Sequence, residues 1–375
     1  MEEWNTAAMA RERTFVIAAG GTGGHVIPAL ETARELRRRG HRCVFVGSSR
    51  GMENRLVPEA GFELERVEIG ALNAVSLARR LTTLAQAPRS LWQAAAILRK
   101  HRPDAALSLG GYASGPLSAV ALMTGVPLAV LEPNAYPGMA NRWVGRFAKY
   151  ALLGFDEASR WFPKGRAETC GVPVRAEFFD IKPRRGGKTL SVLITGGSQG
   201  SRTLNRAGVE AARLWHSTKV PVGLRILHQT GVKEYNIVQS AYEALAGSAP
   251  EIELRATPFI DDMPSAFAEA DLVVSRAGAS ALAEVAAAGR AALLIPFPYA
   301  ADQHQMRNAR AAEAAGAGRV VADDEWTGER MKSEIEAVLA EPERLAEMQH
   351  AARAMARPGA AGAVADRLEA LAVRS

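Results

Sequence analysis

Three stretches of the 375-residue chain end an apolar run in a glycine pair. They are "IAAGGTGGH" with Gly20 and Gly21, "SLGGYASGP" with Gly110 and Gly111, and "LITGGSQGS" with Gly196 and Gly197. Glycine there permits positive φ and close backbone approach, and a following helix N-terminus offers free N–H groups with a partial positive charge. One such loop is equally well a tight strand-to-helix turn. Three at corresponding places point to a diphosphate ligand on each half of the chain. The dinucleotide fingerprint fits poorly, because Gly21-Thr22-Gly23 puts Val26 where the third glycine belongs. The next strand, in "CVFVGSSRGME", offers Gly47 and Ser48 rather than a ribose-binding acid, and no G-K-[ST] follows any loop.

The second half supplies groups suited to a sugar nucleotide. In "ADLVVSRAGASALAEVAAAGRAALLIPFP" a strand and a turn lead into a helix whose first turns carry Ser280 and Glu284. A carboxylate placed there can accept from both hydroxyls of a ribose, or can simply favour its helix N-terminus. Behind the next strand, Asp302, Gln303, His304, Gln305 and Asn308 crowd one polar loop. Amide side chains both donate and accept, which suits sugar hydroxyls, although such a loop also serves as a helix cap.

These groups need a scaffold of alternating strands and helices. Strands are expected at Phe15–Ala19, Cys43–Val46, Ala105–Leu109, Leu128–Leu131 and Ala151–Leu153. In the second half they fall at Leu190–Thr195, Leu224–His228, Ile252–Ala256, Leu272–Ser275, Ala291–Ile295 and Arg319–Val321. Helical stretches such as "PALETARELRRRG" lie between them, so the fold class is α/β with parallel sheets covered on both faces. A length of 375 residues exceeds one typical domain. The basic, Pro- and Gly-rich "DIKPRRGGK" at 180–188 reads as a linker, dividing residues 1–179 from 189–350, with a C-terminal helix over 351–375.

Charge is distributed unevenly. Residues 1–180 carry 23 Lys+Arg against 17 Asp+Glu, whereas residues 181–375 carry 23 of each. Between Glu68 and Asp104 there is no acid, yet Arg79, Arg80, Arg89, Arg99, Lys100 and Arg102 interleave with Leu72, Leu81, Leu91, Trp92 and Leu98. This mixture suits an anionic membrane surface, and it also fits ordinary amphipathic helices with a solvated basic face. It lacks the aromatic stacking pattern of single-strand binders, so nucleic acid is not an expected partner. Cys43 and Cys170 are too few for a disulfide framework, and the polar start "MEEWNTAAMARER" is no signal peptide, so a soluble, cytoplasmic protein is expected.

Taken together, "GGTGGHVIPAL", "GGYASGP", "EPNAYPGMANR", "GVPVR", "GGSQGS", "PFIDDM", "SRAGASALAEVAAAG" and "ADQHQMRNA" occur in the order and context of the MurG family. The chain resembles these bacterial family 28 glycosyltransferases from about Phe15 to Val321. The resemblance implies a GT-B architecture: two Rossmann-like domains facing a cleft, with the last helix crossing back to the first. It also implies transfer of N-acetylglucosamine from UDP-GlcNAc to the C4 hydroxyl of undecaprenyl-pyrophosphoryl-MurNAc-pentapeptide (lipid I), with inversion, in peptidoglycan synthesis.

Carried over by position, the resemblance implies donor contacts from Thr22, Gly23, Gly24, Asn134, Arg175, Ser198, Gln199, Ile260, Glu284, His304 and Gln305. Ile260 meets uracil through its backbone in this reading, Glu284 the ribose, and His304 and Gln305 the sugar. Gly20, Gly21, Gly110, Gly111, Tyr112 and Ser114 would cradle the acceptor diphosphate. His25 and Glu132 are the candidate bases, with His25 preferred. The chain departs from the family pattern at Leu131-Glu132-Pro133-Asn134, Gly171-Val172-Pro173 and His304-Gln305. No Asp-x-Asp triplet occurs, so no metal and no other cofactor is expected. The implied partners are UDP-GlcNAc, lipid I, proteins of the cell-wall machinery and, through Leu72 to Arg102, an anionic membrane at the cytoplasmic face. A UDP-GlcNAc 2-epimerase, a diacylglycerol glycosyltransferase and a non-catalytic donor-binding subunit are the alternatives.

Overall fold

In the computed structural model the described residues are 11–21, 23–49, 51–68, 77–111, 113–184, 189–218, 223–247, 249 and 251–373, with side chains described outside 77–86 and 301. Thr22, Tyr112 and residues 72–76 of the basic-apolar stretch therefore lie outside the description, as do 185–188 of the expected linker.

Packing divides the chain into two units. One comprises residues up to Pro133, Pro137–Pro173 and Gly359 onward; the other comprises Asn134–Tyr136 and Val174–Pro358. The chain thus passes into the second unit ahead of residues 180–188.

In the first unit the order is β1 (Thr14–Ala18), α1 (Gly23–Arg38), β2 (Arg42–Gly47), α2 (Glu53–Glu59), β3 (Glu63–Arg66), α3 (Leu77–His101), β4 (Ala105–Ser108), α4 (Ser114–Thr124), β5 (Leu128–Glu132), α5 (Met139–Val144), β6 (Tyr150–Leu153) and β7 (Ala167–Thr169). All strand pairs are parallel, in the order β3-β2-β1-β4-β5-β6-β7. Side chains alternate along β1 as the strand period requires. Phe15 and Ile17 pack against Val26, Leu30 and Leu36 of α1, while Val16 and Ala18 pack against Ile97 and Leu98 of α3 and Leu117 of α4. Sequence order reverses at β1, which has β2 on one side and β4 on the other. That is the switch point where open α/β sheets place ligands.

The second unit continues with β8 (Thr189–Thr195), α6 (Arg202–Ser217), β9 (Gly223–Gln229), α7 (Tyr235–Glu243), β10 (Ile252–Thr257), α8 (Met263–Glu269), β11 (Leu272–Ser275), α9 (Ala279–Ala288), β12 (Ala291–Leu294), α10 (His304–Ala314), β13 (Gly318–Val320), α11 (Gly328–Ala340) and α12 (Pro342–Met355). Its parallel sheet runs β10-β9-β8-β11-β12-β13, so β8 occupies the equivalent switch position. A final helix, α13 (Ala360–Ala372), belongs to the first unit, where Val364, Ala365 and Leu368 join the core beneath α1.

Two strands escape the sequence reading, β3 and β7. Both are edge strands, and neither shows a buried apolar run: "ELER" is charged and "AET" is three residues long.

Candidate functional site

Each unit collects its site residues in loops at the C-terminal ends of its central strands. In the first unit the loops after β1 and β4 touch. A Cβ on Gly111, whose φ is 84°, would stand 2.6 Å from the Gly20 carbonyl oxygen, so only glycine fits. Gly21 and Gly110 also have positive φ, at 95° and 90°. Ser114, expected as a diphosphate contact, is fully buried, with Oγ 3.0 Å from Ala18 O and 2.5 Å from Gly110 O. Its hydroxyl braces the two loops instead of facing a ligand. His25 lies half-buried in the first turn of α1, one residue after Gly24.

Glu132 ends β5 and is only 1% exposed. Its Oε2 accepts from the Gly138 N–H at 3.0 Å and from Asn141 Nδ2 at 2.9 Å. These bonds fasten the β5–α5 loop and commit this carboxylate to the fold. Of the two candidate bases, His25 is the more accessible. Glu53, the first residue of α2, was given no role by the sequence reading. It is fully buried and accepts from the Gly21 N–H at 2.9 Å and from Ser48 N and Oγ, each at 2.8 Å.

The second unit builds its loop after β8 in the same manner. Gly197 and Gly200 have φ of 80° and 72°, and a Cβ on Gly200 would lie 1.9 Å from Thr230 O. Ser201 caps α6 by accepting from the Leu204 N–H at 3.4 Å, and no acidic residue occupies the first turn. The N-terminal dipole therefore stays available beside Ser198 and Gln199.

Buried Gln229, at the end of β9, joins the loops after β8 and β10. Its Nε2 donates to Gly197 O at 2.9 Å and to Thr195 Oγ1 at 3.2 Å, while its Oε1 accepts from the Ile260 N–H at 2.9 Å. The Ile260 N–H is thus committed, and its carbonyl is the backbone group with which it could meet a base.

Next to Gln229, His228 is fully buried between Tyr242 and Asn205. Asn205 Nδ2 donates to Thr230 O at 2.9 Å and to Glu234 at 2.7 Å, so Asn205 Oδ1 must accept from His228 Nε2. His228 Nδ1 then accepts from the Tyr242 hydroxyl. Burial pushes the imidazole down to about 3 and pushes the phenol up, keeping both neutral.

Glu284 and Arg175 meet on this unit, with Arg175 Nη2 3.4 Å from Glu284 Oε1 and its guanidinium 5.0 Å above the Phe178 ring. At α10, Gln305 Oε1 accepts from the Phe297 N–H at 2.9 Å, fastening the proline-aromatic loop. Asp302 and Gln303 just before it hold φ of 51° and 53°, conformations uncommon for non-glycine residues. Asn134 was expected to reach the donor from the first domain, yet it clusters with the second unit. Buried Asn308 accepts from the Ala135 N–H at 2.9 Å and donates to Asn134 Oδ1 at 3.1 Å.

Arg276 is a further group, like Glu53, Gln229 and His228, that the sequence reading left without a role. It donates to Ser201 Oγ at 2.7 Å and Ile295 O at 3.0 Å and pairs with Asp323, tying together the loops after β8, β11, β12 and β13. Its signal was visible in "SRAGAS", but nothing local indicates how far the guanidinium reaches.

Comparison with known proteins bears on both units. The glycosyltransferase family 28 N-terminal domain matches residues 15–153 and the family 28 C-terminal domain matches residues 191–364. A relative from Solibacter usitatus (strain Ellin6076) is 49% identical over 359 residues, covering 96% of each chain. Another, from Anaeromyxobacter sp. (strain Fw109-5), is 41% identical over 356 residues, covering 94% of this chain and 92% of that one. Both are named UDP-N-acetylglucosamine–N-acetylmuramyl-(pentapeptide) pyrophosphoryl-undecaprenol N-acetylglucosamine transferase. Among solved structures, Acinetobacter baumannii MurG is similar with a TM-score of 0.77 at 30% identity, covering 96% of this chain and 99% of that one.

Proposed function

Because the chain belongs to glycosyltransferase family 28, we propose that it performs the transfer for which its relatives are named. It moves N-acetylglucosamine from UDP-GlcNAc to the C4 hydroxyl of undecaprenyl-pyrophosphoryl-MurNAc-pentapeptide, with inversion. The observation that carries this reading is the 49% identity to a so-named relative along 96% of both chains.

In the reaction the acceptor oxygen bonds to the anomeric carbon as the bond from that carbon to the UDP oxygen breaks. His25, half-buried behind the first glycine loop, takes the proton of the attacking hydroxyl. General-base help of this kind contributes roughly 10²- to 10⁴-fold. On the leaving side, the N-terminus of α6 and the Arg175 guanidinium meet the charge growing on the diphosphate. These fixed positive groups do the work for which other transferases hold a divalent ion, so the chemistry needs no metal. Glu284 holds the ribose hydroxyls, the Ile260 carbonyl meets the uracil, and His304 and Gln305 meet the sugar. Gly20, Gly21, Gly110 and Gly111 form the acceptor diphosphate cradle.

The lipid tail of the acceptor stays in the bilayer, so the enzyme works as a peripheral protein at the cytoplasmic face of the membrane. Among the described residues no helix is long and apolar enough to cross a bilayer. Docking falls to residues 72–102, where Trp92 is 71% exposed on α3 and Arg89, Arg99 and Arg102 lie nearby in sequence.

Incubation with UDP-GlcNAc and the lipid-linked MurNAc-pentapeptide tests the reading. UDP release only when that acceptor is present supports the transferase, while acceptor-independent turnover means an epimerase instead. His25→Ala enzyme retaining near-normal turnover at saturating substrates would remove His25 as the base.

A further inference from the structure

We propose that Glu53 is a positioning residue for the acceptor: its carboxylate occupies the entrance of the first glycine loop as an internal anion and sets the loop that receives the diphosphate. The inference rests on the reading of Gly20 and Gly21 as part of the acceptor cradle. Rossmann-like nucleotide sites place an acid at the end of the second strand, to hold a ribose. Here the end of β2 has Gly47 and Ser48, and the acid arrives from the next helix.

Glu53 is 0% exposed and satisfied by three donors, Gly21 N–H, Ser48 N–H and Ser48 Oγ. The surrounding backbone is shaped to it. A Cβ added at Gly20, Gly47 or Gly51 would come within 2.9, 2.4 or 1.8 Å of the Glu53 side chain. Gly21 is held from its other side as well, since its carbonyl accepts from the Met52 N–H at 3.1 Å. Both polar groups of Gly21 are therefore consumed by the loop and first residue of α2. The Gly21 N–H is withdrawn from the ligand, so an incoming diphosphate meets the positive end of the α1 dipole and the Gly110–Gly111 loop. Glu53 fixes where that α1 terminus, with His25 on its first turn, begins.

Glu53→Gln is the decisive variant because it keeps shape and volume. An amide has one acceptor oxygen, so in either orientation its NH₂ faces an N–H: that of Gly21 or that of Ser48. A buried donor left unmade is worth about tenfold or more in an equilibrium constant. We expect kcat/KM for the lipid acceptor to fall about tenfold or more, with the dissociation constant for UDP-GlcNAc little changed and the melting temperature lower by a few degrees. Ser48→Ala, which keeps the Gly21 bond, should stay near wild type. Hydrogen exchange of the peptide covering residues 15–27 should accelerate in Glu53→Gln, with the 190–204 peptide unaffected.

Unchanged acceptor kinetics together with unchanged exchange would overturn the proposal. So would an equal loss of donor and acceptor binding, which marks a merely structural role. If the wild-type enzyme does not act on the lipid acceptor, the functional reading fails on its own. The exchange comparison then still decides whether Glu53 orders the loop, with an unaltered 15–27 peptide counting against it.

Discussion

Acidification should expose the buried histidine next to Gln229 at the end of β9. His228 is fully buried, donates to Asn205, accepts from Tyr242, and has its pKa driven down to about 3 by desolvation. Its folded pKa lies below the ordinary value of 6.5. Below pH 6.5 the unfolded chain therefore binds a proton that the folded one refuses. The stability conferred by keeping this group neutral is fully present above pH 6.5 and is withdrawn as the pH falls toward about 3.

Within that window each pH unit costs about 1.4 kcal/mol, so at pH 5 the loss is about 2 kcal/mol. His228→Gln isolates the term. Glutamine can still donate to Asn205 and accept from Tyr242, but it does not titrate. Urea unfolding of both proteins, followed through the buried Trp215 and Trp326 of the same unit, gives the difference in stability at each pH. Every other titrating group is shared and cancels to first order. The difference should be constant above pH 6.5 and should shift in favour of the glutamine variant by about 1.4 kcal/mol per unit below it. Parallel curves from pH 7 to pH 4.5 would refute the buried, neutral imidazole.

Glu284→Gln should weaken UDP-GlcNAc binding by about tenfold, while leaving the melting temperature within a few degrees, as calorimetric titration and scanning can check. Charge reversal of Arg79, Arg80 and Arg89 to Glu should lower binding to anionic vesicles steeply, at about 1 kcal/mol for each charge removed, and leave binding to neutral vesicles nearly unchanged. Cys43 and Cys170 are buried with their thiols pushed up to about 12, so neither should react with a thiol reagent at pH 8 until the protein is unfolded.

Much of this fold is written locally. Short, mainly apolar runs between alanine-rich helical patterns disclosed the interior strands, because a strand covered on both faces must be largely apolar. The edges β3 and β7 escaped because an edge strand need not be. The three glycine loops, Glu284 and the polar turn before α10 could likewise be found by residue type and spacing. Backbone that must turn sharply at positive φ leaves glycine as its trace, and a carboxylate one turn into a helix shows as a lone acid in an apolar stretch.

Which groups remain available to a ligand was decided only by the tertiary structure. Gly21 and Glu53 are 32 positions apart, Gln229 reaches Gly197 across 32, Arg276 reaches Ser201 across 75, and Asn308 reaches Ala135 across 173. Each of these bonds joins residues far apart in the sequence, and no local pattern shows which of them will meet. The resemblance made Ser114, Glu132 and the backbone of Ile260, its N–H included, look like groups that could face a ligand. The folded chain commits all three to its own backbone and side chains, because a buried polar group left without a partner costs more than the binding contact it could otherwise make.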